Sequence, residues 1–377
     1  MTQPLESPYI EGNILTLKIH RLGNKHAPPQ LNRDARELKA KIIDVVGSSD
    51  WSIVVVLELE PEAQTASAAA SRAVLKVYDR QFSQRLRRFH DSVFETTAGP
   101  ATSESEIQYT AFLRQGFMPQ FLAHHADVNK PWPFEEWDMP KREAYFYAEC
   151  ANRHDRELAV YDRLIDVQGI HIPTLFADVR LAAQQPAATT AGTRLLDENL
   201  TKYSEIPAIL IEYIPGFPLS DLFKETPESD WPVLCNQAVE TVRKIIKDDF
   251  RHLDMDLGHG LVVRRRGNHE KGEAWPPSSY QVFYIDFALC EFRDADDRSD
   301  EEWRERKRAA CEEGGVGYLL ANHWSYAKGK NGKRYKGSIP LPWTYTPAMS
   351  FGGEPLESIL PAHRSPSEQT QRMEAHQ

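Results

Sequence analysis

Blocks of apolar residues predict β-strands through much of the chain. These segments are rich in Val, Ile, Leu and aromatic residues and are bounded by Gly, Ser, Asp and Pro, as β-strands usually are. They are "KAKIIDVV", "WSIVVVLELE", "RAVLKVYDR", "GIHIPTLFADVRL" and "PAILIEYIPGFPL". The connection "GSSD" joins the first two, and the third places Lys76 inside a largely apolar strand.

The apolar pattern changes to helical spacing between these strands. In residues 141–168, Leu158, Tyr161 and Leu164 recur at the spacing of one helix face, and Glu157 lies beside them. We therefore expect a long helix that carries Glu157 close to apolar neighbours.

The second half of the chain predicts two more helices and a strand pair. "ESDWPVLCNQAVETVRKIIKDDF" is amphipathic, and "GLVVRRRG" and "QVFYIDF" are two short apolar segments that we expect to pair. The next helix has a candidate capping box of Ser299 and Glu302. The element order is that of an α+β protein.

Composition and charge restrict the classes of function. The chain has 377 residues, of which 41% are hydrophobic, enough for a sizeable core. The net charge of −10 and pI of about 5.8 argue against general nucleic-acid binding. No secretory signal, no membrane span and no CxxC pair is visible. We expect a protein of the cytoplasm or nucleus that binds neither nucleic acid nor membrane.

A carboxylate stands directly after one of the apolar segments. Val282 to Ile285 are apolar or aromatic, and Asp286, Phe287 and Ala288 follow. A strand end presents a side chain rigidly, which suits a metal ligand. The alternative interpretation is a turn-forming or helix-capping aspartate, which is common.

Lys76 and Glu157 also allow two interpretations. A buried lysine is costly unless it is paired. Taken alone, Lys76 is more simply an edge-strand lysine that faces solvent, and Glu157 an ordinary surface glutamate. A strand lysine, a helix glutamate and a later Asp-Phe-small triplet, taken together, match the plan of kinase-like phosphotransferases.

Five segments carry a resemblance to the protein-kinase-like fold. They are "VLKVYDRQF", "ELAVYDRLIDVQGIHIPTLF", "ILIEYIPGFPLSDL", "VFYIDFALCEFR" and "EWRERKRAACEEGGVGYLL". In this order they cover roughly residues 40 to 325, and they look most like a group of fungal proteins with a kinase-like domain. The resemblance implies an α+β, bilobal protein-kinase-like fold with a β-rich N-lobe and a shortened, mainly helical C-lobe.

The same resemblance implies a division of the chain. Residues 1–35 would be an N-terminal extension, and residues 36–214 the N-lobe, with a long insertion around 81–140. Residues 215–327 would be the C-lobe and residues 328–377 a flexible tail.

The resemblance also assigns roles to individual residues. Lys76 would hold the phosphates of ATP, Glu157 would orient that lysine, and Asp286 would bind Mg²⁺. The hinge between the lobes, whose backbone groups would meet adenine, would be Glu212, Tyr213 and Ile214.

The catalytic loop has two registers, and neither supplies the asparagine of active kinase-like enzymes. In "RHLDMDLGHGLVV", the catalytic aspartate is Asp254 or Asp256. We prefer Asp254, because His252 then matches too. His259 takes the place of the asparagine in that register, and Leu261 takes it in the other.

These features leave the function open between two main hypotheses. The first is an ATP- and Mg²⁺-dependent phosphotransferase with an unknown acceptor. The second is a pseudokinase that acts as a nucleotide-binding or protein-interaction scaffold. The missing asparagine and the single glycine, Gly47, in "VGSSDWS" favour the second. A third interpretation makes Lys76, Glu157 and Asp286 a structural ion-pair network.

Overall fold

The computed structural model describes two compact units, Met1–Tyr213 and Ile214–Gln377. Within them the structure describes residues 4–23, 28, 31, 36–48, 51–59, 71–83, 86–87, 99–126, 137–183, 198–246, 250–254, 260–265, 279–293, 299–310, 312–321, 327–328 and 334–335.

Six strands and four helices make up the first unit as described. The strands are β1 (Ile14–Leu22), β2 (Glu37–Ser48), β3 (Ile53–Leu59), β4 (Ser71–Val77), β5 (Leu175–Ala182) and β6 (Glu205–Glu212). The helices are α1 (Ser103–Arg114), α2 (Met118–His125), α3 (Met139–Arg163) and α4 (Glu198–Ser204).

The six strands form a closed antiparallel barrel in the order β1-β2-β3-β4-β6-β5. Every strand pairs with both of its neighbours, so the sheet has no free edge. Alternate residues point inward and form one apolar core. Fully buried members include Leu17, Ile42, Leu57, Leu75 and Leu210.

The expected bilobal protein-kinase-like fold, with a β-rich N-lobe and a shortened, mainly helical C-lobe, is wrong. A closed six-stranded barrel is not typical of that fold. The barrel closes because β1, inside the stretch expected to be an extension, pairs with β2 on one side and β5 on the other. Its apolar residues Leu15 and Leu17 alternate with exposed ones and are buried. The mixed α+β composition remains.

A buried cluster of ion pairs connects α1 and α3 to the segment after β4. Arg80 contacts Glu106 of α1 at 2.5 Å and Glu143 of α3 at 2.5 Å. Arg87 contacts the same Glu143 at 2.7 Å. All four side chains are at most 7% exposed. Two arginines and two carboxylates balance their charge there, as burial requires.

The second unit contains short strands and helices. Its strands are β7 (Gly216–Pro218), β8 (Phe250–Arg251), β9 (Leu261–Arg265), β10 (Tyr280–Tyr284), β11 (Glu291–Phe292), β12 (Ala327–Lys328) and β13 (Arg334–Tyr335). Its helices are α5 (Leu222–Glu225), α6 (Trp231–Ile245), α7 (Asp300–Ala310) and α8 (Glu312–Ala321). The strands form sheets β10-β9-β7, β11-β8 and β12-β13.

Several local predictions are confirmed in this unit. The two apolar segments pair as antiparallel β9 and β10. The capping box before α7 is present, because Ser299 and Glu302 exchange backbone-to-side-chain hydrogen bonds at 3.3 Å. Of the expected tail, residues 328–377, the structure describes only residues 328 and 334–335. Across the described ranges, no helix has the length and apolar character needed to cross a membrane.

Candidate functional site

Lys76 and Glu157 form a buried ion pair in the first unit. Lys76 lies on β4 and points its Nζ to Glu157 Oε2 on α3, at 2.6 Å. The two side chains are 5% and 1% exposed. The structure therefore brings together two residues that are 81 positions apart and that the sequence singled out. The solvent-facing interpretation of each residue is wrong.

Tyr78 completes the environment of the Glu157 carboxylate. Its hydroxyl donates to the same oxygen, Oε2, that accepts from Lys76. The other oxygen, Oε1, is buried and has no hydrogen-bond partner among the described residues. Buried polar atoms normally have a partner in the protein or in bound water or ligand. Both donors therefore bind the same oxygen of the Glu157 carboxylate, Oε2.

The β2–β3 hairpin, which contains Gly47, also contacts α3. The Arg153 guanidinium lies 3.8 Å from the centre of the Trp51 ring, a cation–π contact. Arg153 also forms an ion pair with Glu149. Nε2 of His125, on α2, lies 3.3 Å from Oε1 of the same glutamate. Burial raises the pKa of Glu149, but His125 and Arg153 outweigh it and lower that pKa to about 2. The hairpin is thus tied to the helix one turn before Glu157.

The predicted hinge residues lie at the junction of the two units. Glu212 ends β6, and its carboxylate accepts from the backbone N–H of Thr174 at 3.0 Å and from the Thr174 hydroxyl at 2.9 Å. The Glu212 backbone N–H donates to the Thr174 carbonyl at 2.8 Å. Tyr213 faces the Arg72 guanidinium at 6.0 Å, and Ile214 begins the second unit. The Glu212 side chain therefore has a structural partner.

Asp286 follows β10 in the second unit with an unusual backbone. Its φ is 66°, and it is the one non-glycine residue with positive φ in the described ranges. Such a conformation is strained for a residue with a Cβ, and strain of this kind clusters at functional sites. The chain turns sharply here, so that Phe287 and Ala288 are buried while Asp286 remains half-buried.

His252 contacts the backbone of both Asp286 and Asp254. Its Nε2 donates to the Asp286 carbonyl oxygen at 2.5 Å, and its Nδ1 accepts from the Asp254 backbone N–H at 3.2 Å. The ring is buried and stacks on Tyr284 with centroids 4.9 Å apart. These contacts require the neutral tautomer with hydrogen on Nε2. Asp254 itself is exposed.

Glu312, at the start of α8, binds the backbone of the same histidine. Its carboxylate accepts from the backbone N–H of His252. Burial raises the pKa of Glu312 to about 7, and the hydrogen bond with His252 and the charges of Lys307 and Arg251 oppose that rise. The loop before Asp254 is thus anchored to a helix.

The carboxylate of Asp286, the expected metal ligand, is a donor of the kind that Mg²⁺ prefers. This ion prefers oxygen ligands and commonly takes one or two protein carboxylates, with waters and phosphate oxygens in its other positions. Within the described ranges, no cluster of three or more His, Cys, Asp or Glu side chains could hold a metal by itself. Asp256 and His259 lie outside the described residues.

The sequence did not indicate four residues that contact the candidate site residues or their neighbours. Tyr78, Thr174 and Glu312 have roles that depend on contacts with distant residues. His154 has two carboxylate partners. Only Tyr78 gave a usable signal, because it lies two positions after Lys76 and directly follows β4.

A scan against protein-family models finds no match, and a search of curated proteins finds none either. The resemblance to fungal kinase-like proteins therefore stays a prediction.

Proposed function

We propose that this protein is an ATP- and Mg²⁺-dependent phosphotransferase whose acceptor is unknown. The observation that carries the proposal is the buried Lys76–Glu157 pair, with 2.6 Å between Nζ and Oε2. The contact with Glu157 holds the Lys76 side chain in one direction, which suits a lysine that is to hold phosphate oxygens.

Stability alone is a weak reason for such a pair. A buried ion pair often contributes less than apolar side chains of similar volume, because both charges lose their hydration. Here a third polar group, the hydroxyl of the buried Tyr78, also donates a hydrogen bond to Glu157. The cost of burying all three favours a functional role for them.

The proposal assigns the remaining roles to two aspartates of the second unit. Asp286 is proposed to ligate Mg²⁺, and Asp254 to accept the proton of the acceptor hydroxyl. His252 holds the backbone at both residues, so it would fix their directions. Bound Mg²⁺ would neutralise phosphate charge, while the protein contributes position and orientation.

A second candidate is a nucleotide-binding or protein-interaction scaffold without turnover. The stretch after Asp254, "MDLGH", contains no asparagine to hold a second metal ion. The Lys76 side chain is also only 5% exposed. Both observations favour binding or packing over rapid catalysis.

Thermal unfolding with ATP, with and without Mg²⁺, tests the proposal first. A ligand that binds the native state raises the melting temperature by mass action. We expect a Mg²⁺-dependent rise that is lost in Lys76→Met and in Asp286→Asn. Lys39→Met is the matched control, because Lys39 is an exposed lysine of the same barrel.

Turnover then separates the two candidates. ADP formation that depends on Mg²⁺ and disappears in Asp254→Asn supports the phosphotransferase. A nucleotide-dependent shift without any ADP formation supports the scaffold. An unchanged melting temperature at millimolar ATP, with and without Mg²⁺, would contradict nucleotide binding altogether.

A further inference from the structure

Both ring nitrogens of His154 face carboxylates. Nδ1 lies 2.9 Å from Asp155 Oδ1, and Nε2 lies 3.0 Å from Asp178 Oδ1. A neutral imidazole has one N–H and can donate to only one of them, whereas the imidazolium can donate to both. The side chain is 1% exposed, so water does not substitute for a missing partner.

The groups around His154 come from α3, β5 and the segment after β4. Asp155 lies on the same helix and Asp178 on β5, where Arg180 also binds the Asp178 carboxylate. Arg180 approaches His154 Nε2 at 3.5 Å, and the Tyr78 ring lies edge-on to the imidazole at 5.7 Å. The Asp155 carboxylate is 74% exposed, whereas that of Asp178 is 3% exposed. The buried Asp178 carboxylate is therefore the one that needs the imidazolium and Arg180 as partners.

The pKa of His154 agrees with this geometry. Burial, the largest influence, lowers it, but the hydrogen bonds with Asp155 and Asp178 raise it above its ordinary value. The pKa of Asp178 is lowered: burial raises it, but the bond with His154 and the charges of His154 and Arg180 prevail.

His154 and Glu157 lie three positions apart on α3 and so share a helix face. His154 binds Asp178 of β5, and Glu157 binds Lys76 of β4. Tyr78 connects them, since its ring contacts His154 and its hydroxyl donates to Glu157. One turn of the helix is therefore attached to the barrel at two points.

We propose that His154, as an imidazolium bound to Asp178, is a positioning residue that holds Glu157 of α3 in place on the barrel. The importance of Glu157 for nucleotide rests on the proposed function; the attachment of the helix does not. A histidine whose pKa is raised by folding stabilises fully below its unfolded pKa. That contribution is lost as pH rises through the folded pKa.

Stability measured against pH without ATP tests the attachment. Wild type is compared with His154→Gln, which cannot carry the charge. We expect wild type to be the more stable at pH 6 and the difference to shrink toward pH 9. His20→Gln, at an exposed histidine of β1, should show no such trend. A difference that is constant with pH would overturn the proposal.

Amide hydrogen exchange tests the positioning of Glu157. At pH 6.5, amides of residues 153–160 should exchange about tenfold faster or more in His154→Gln, the scale expected for losing a hydrogen bond to a charged group. Equal protection in both proteins would contradict the positioning role.

If His154→Gln does not fold, NMR titration of the wild-type imidazole replaces it; a pKa at or below about 6.5 would overturn the proposal. Both stability and exchange are measured without nucleotide. Failure to bind ATP would therefore contradict the proposed function and leave this inference standing. A stability difference between wild type and His154→Gln that does not change with pH would contradict this inference and leave the proposed function standing.

Discussion

The imidazole of His252 donates to the backbone carbonyl of Asp286, a residue that holds φ at 66°. The hydrogen bond and the buried side chain of Phe287 on the next position fix the turn after β10. The backbone from which the Asp286 carboxylate extends is therefore fixed by the surrounding structure. Such preorganisation is what a metal-binding or catalytic carboxylate requires.

The backbone of Asp286 leads to a prediction about stability. A residue with a Cβ pays about 1–2 kcal/mol in the left-handed region, and glycine does not. We expect Asp286→Gly to exceed Asp286→Ala in unfolding free energy by about 1 kcal/mol. Both variants lack the carboxylate, so their difference isolates the backbone. Urea unfolding at pH 7 measures it, and equal stability would mean that the strain is absent.

The buried ionic cluster of Arg80, Arg87, Glu106 and Glu143 leads to a second prediction. Glu143→Gln leaves two buried arginines with one carboxylate, so we expect a loss of about 3–5 kcal/mol in unfolding free energy. Glu104→Gln, at an exposed glutamate of α1, is the control and should change little.

The same variant should show a defined pH dependence. Burial raises the pKa of Glu143, but Arg87 and Arg80 outweigh it, and the folded pKa lies below the ordinary 4.5. The stabilisation is therefore present above 4.5 and is lost as pH falls through the folded pKa. The difference between wild type and Glu143→Gln should shrink below pH 4.5. A difference that grows in acid would contradict the assignment.

Glu312 should produce the opposite pH dependence. Its pKa is raised from 4.5 to about 7, so the folded state binds the proton more tightly than the unfolded state. The contribution of Glu312 to stability should fall as pH rises from 4.5 to about 7. Glu312→Gln keeps an oxygen to accept from His252 and does not titrate.

The stability of Glu312→Gln relative to wild type should therefore rise over that range, by at most about 3 kcal/mol. Chemical unfolding of both proteins between pH 4 and pH 8 measures the change. Parallel curves for the two proteins would show that Glu312 has an ordinary pKa.

The sequence by itself determined the local elements and the candidate chemistry. Alternating or continuous apolar residues were enough to predict β2 to β6, the β9–β10 pair and α3, because each pattern reflects which side of its own segment is buried. Ser299 and Glu302 marked a helix start for a similarly local reason. Lys76, Glu157 and Asp286 were selected by residue type and position.

Only the tertiary structure decided how these elements close and which side chains meet. The alternation of β1 was visible in "ILTLKIHRL", but its pairing with β5 depends on residues about 160 positions later, and local periodicity does not specify such pairing. The same holds for Lys76 with Glu157, for His154 with Asp178 and for His252 with Asp286. Each of these contacts forms only when the whole unit packs, because its two residues lie far apart in the sequence. A periodic pattern determines which face of a segment is buried, and packing determines what that face contacts.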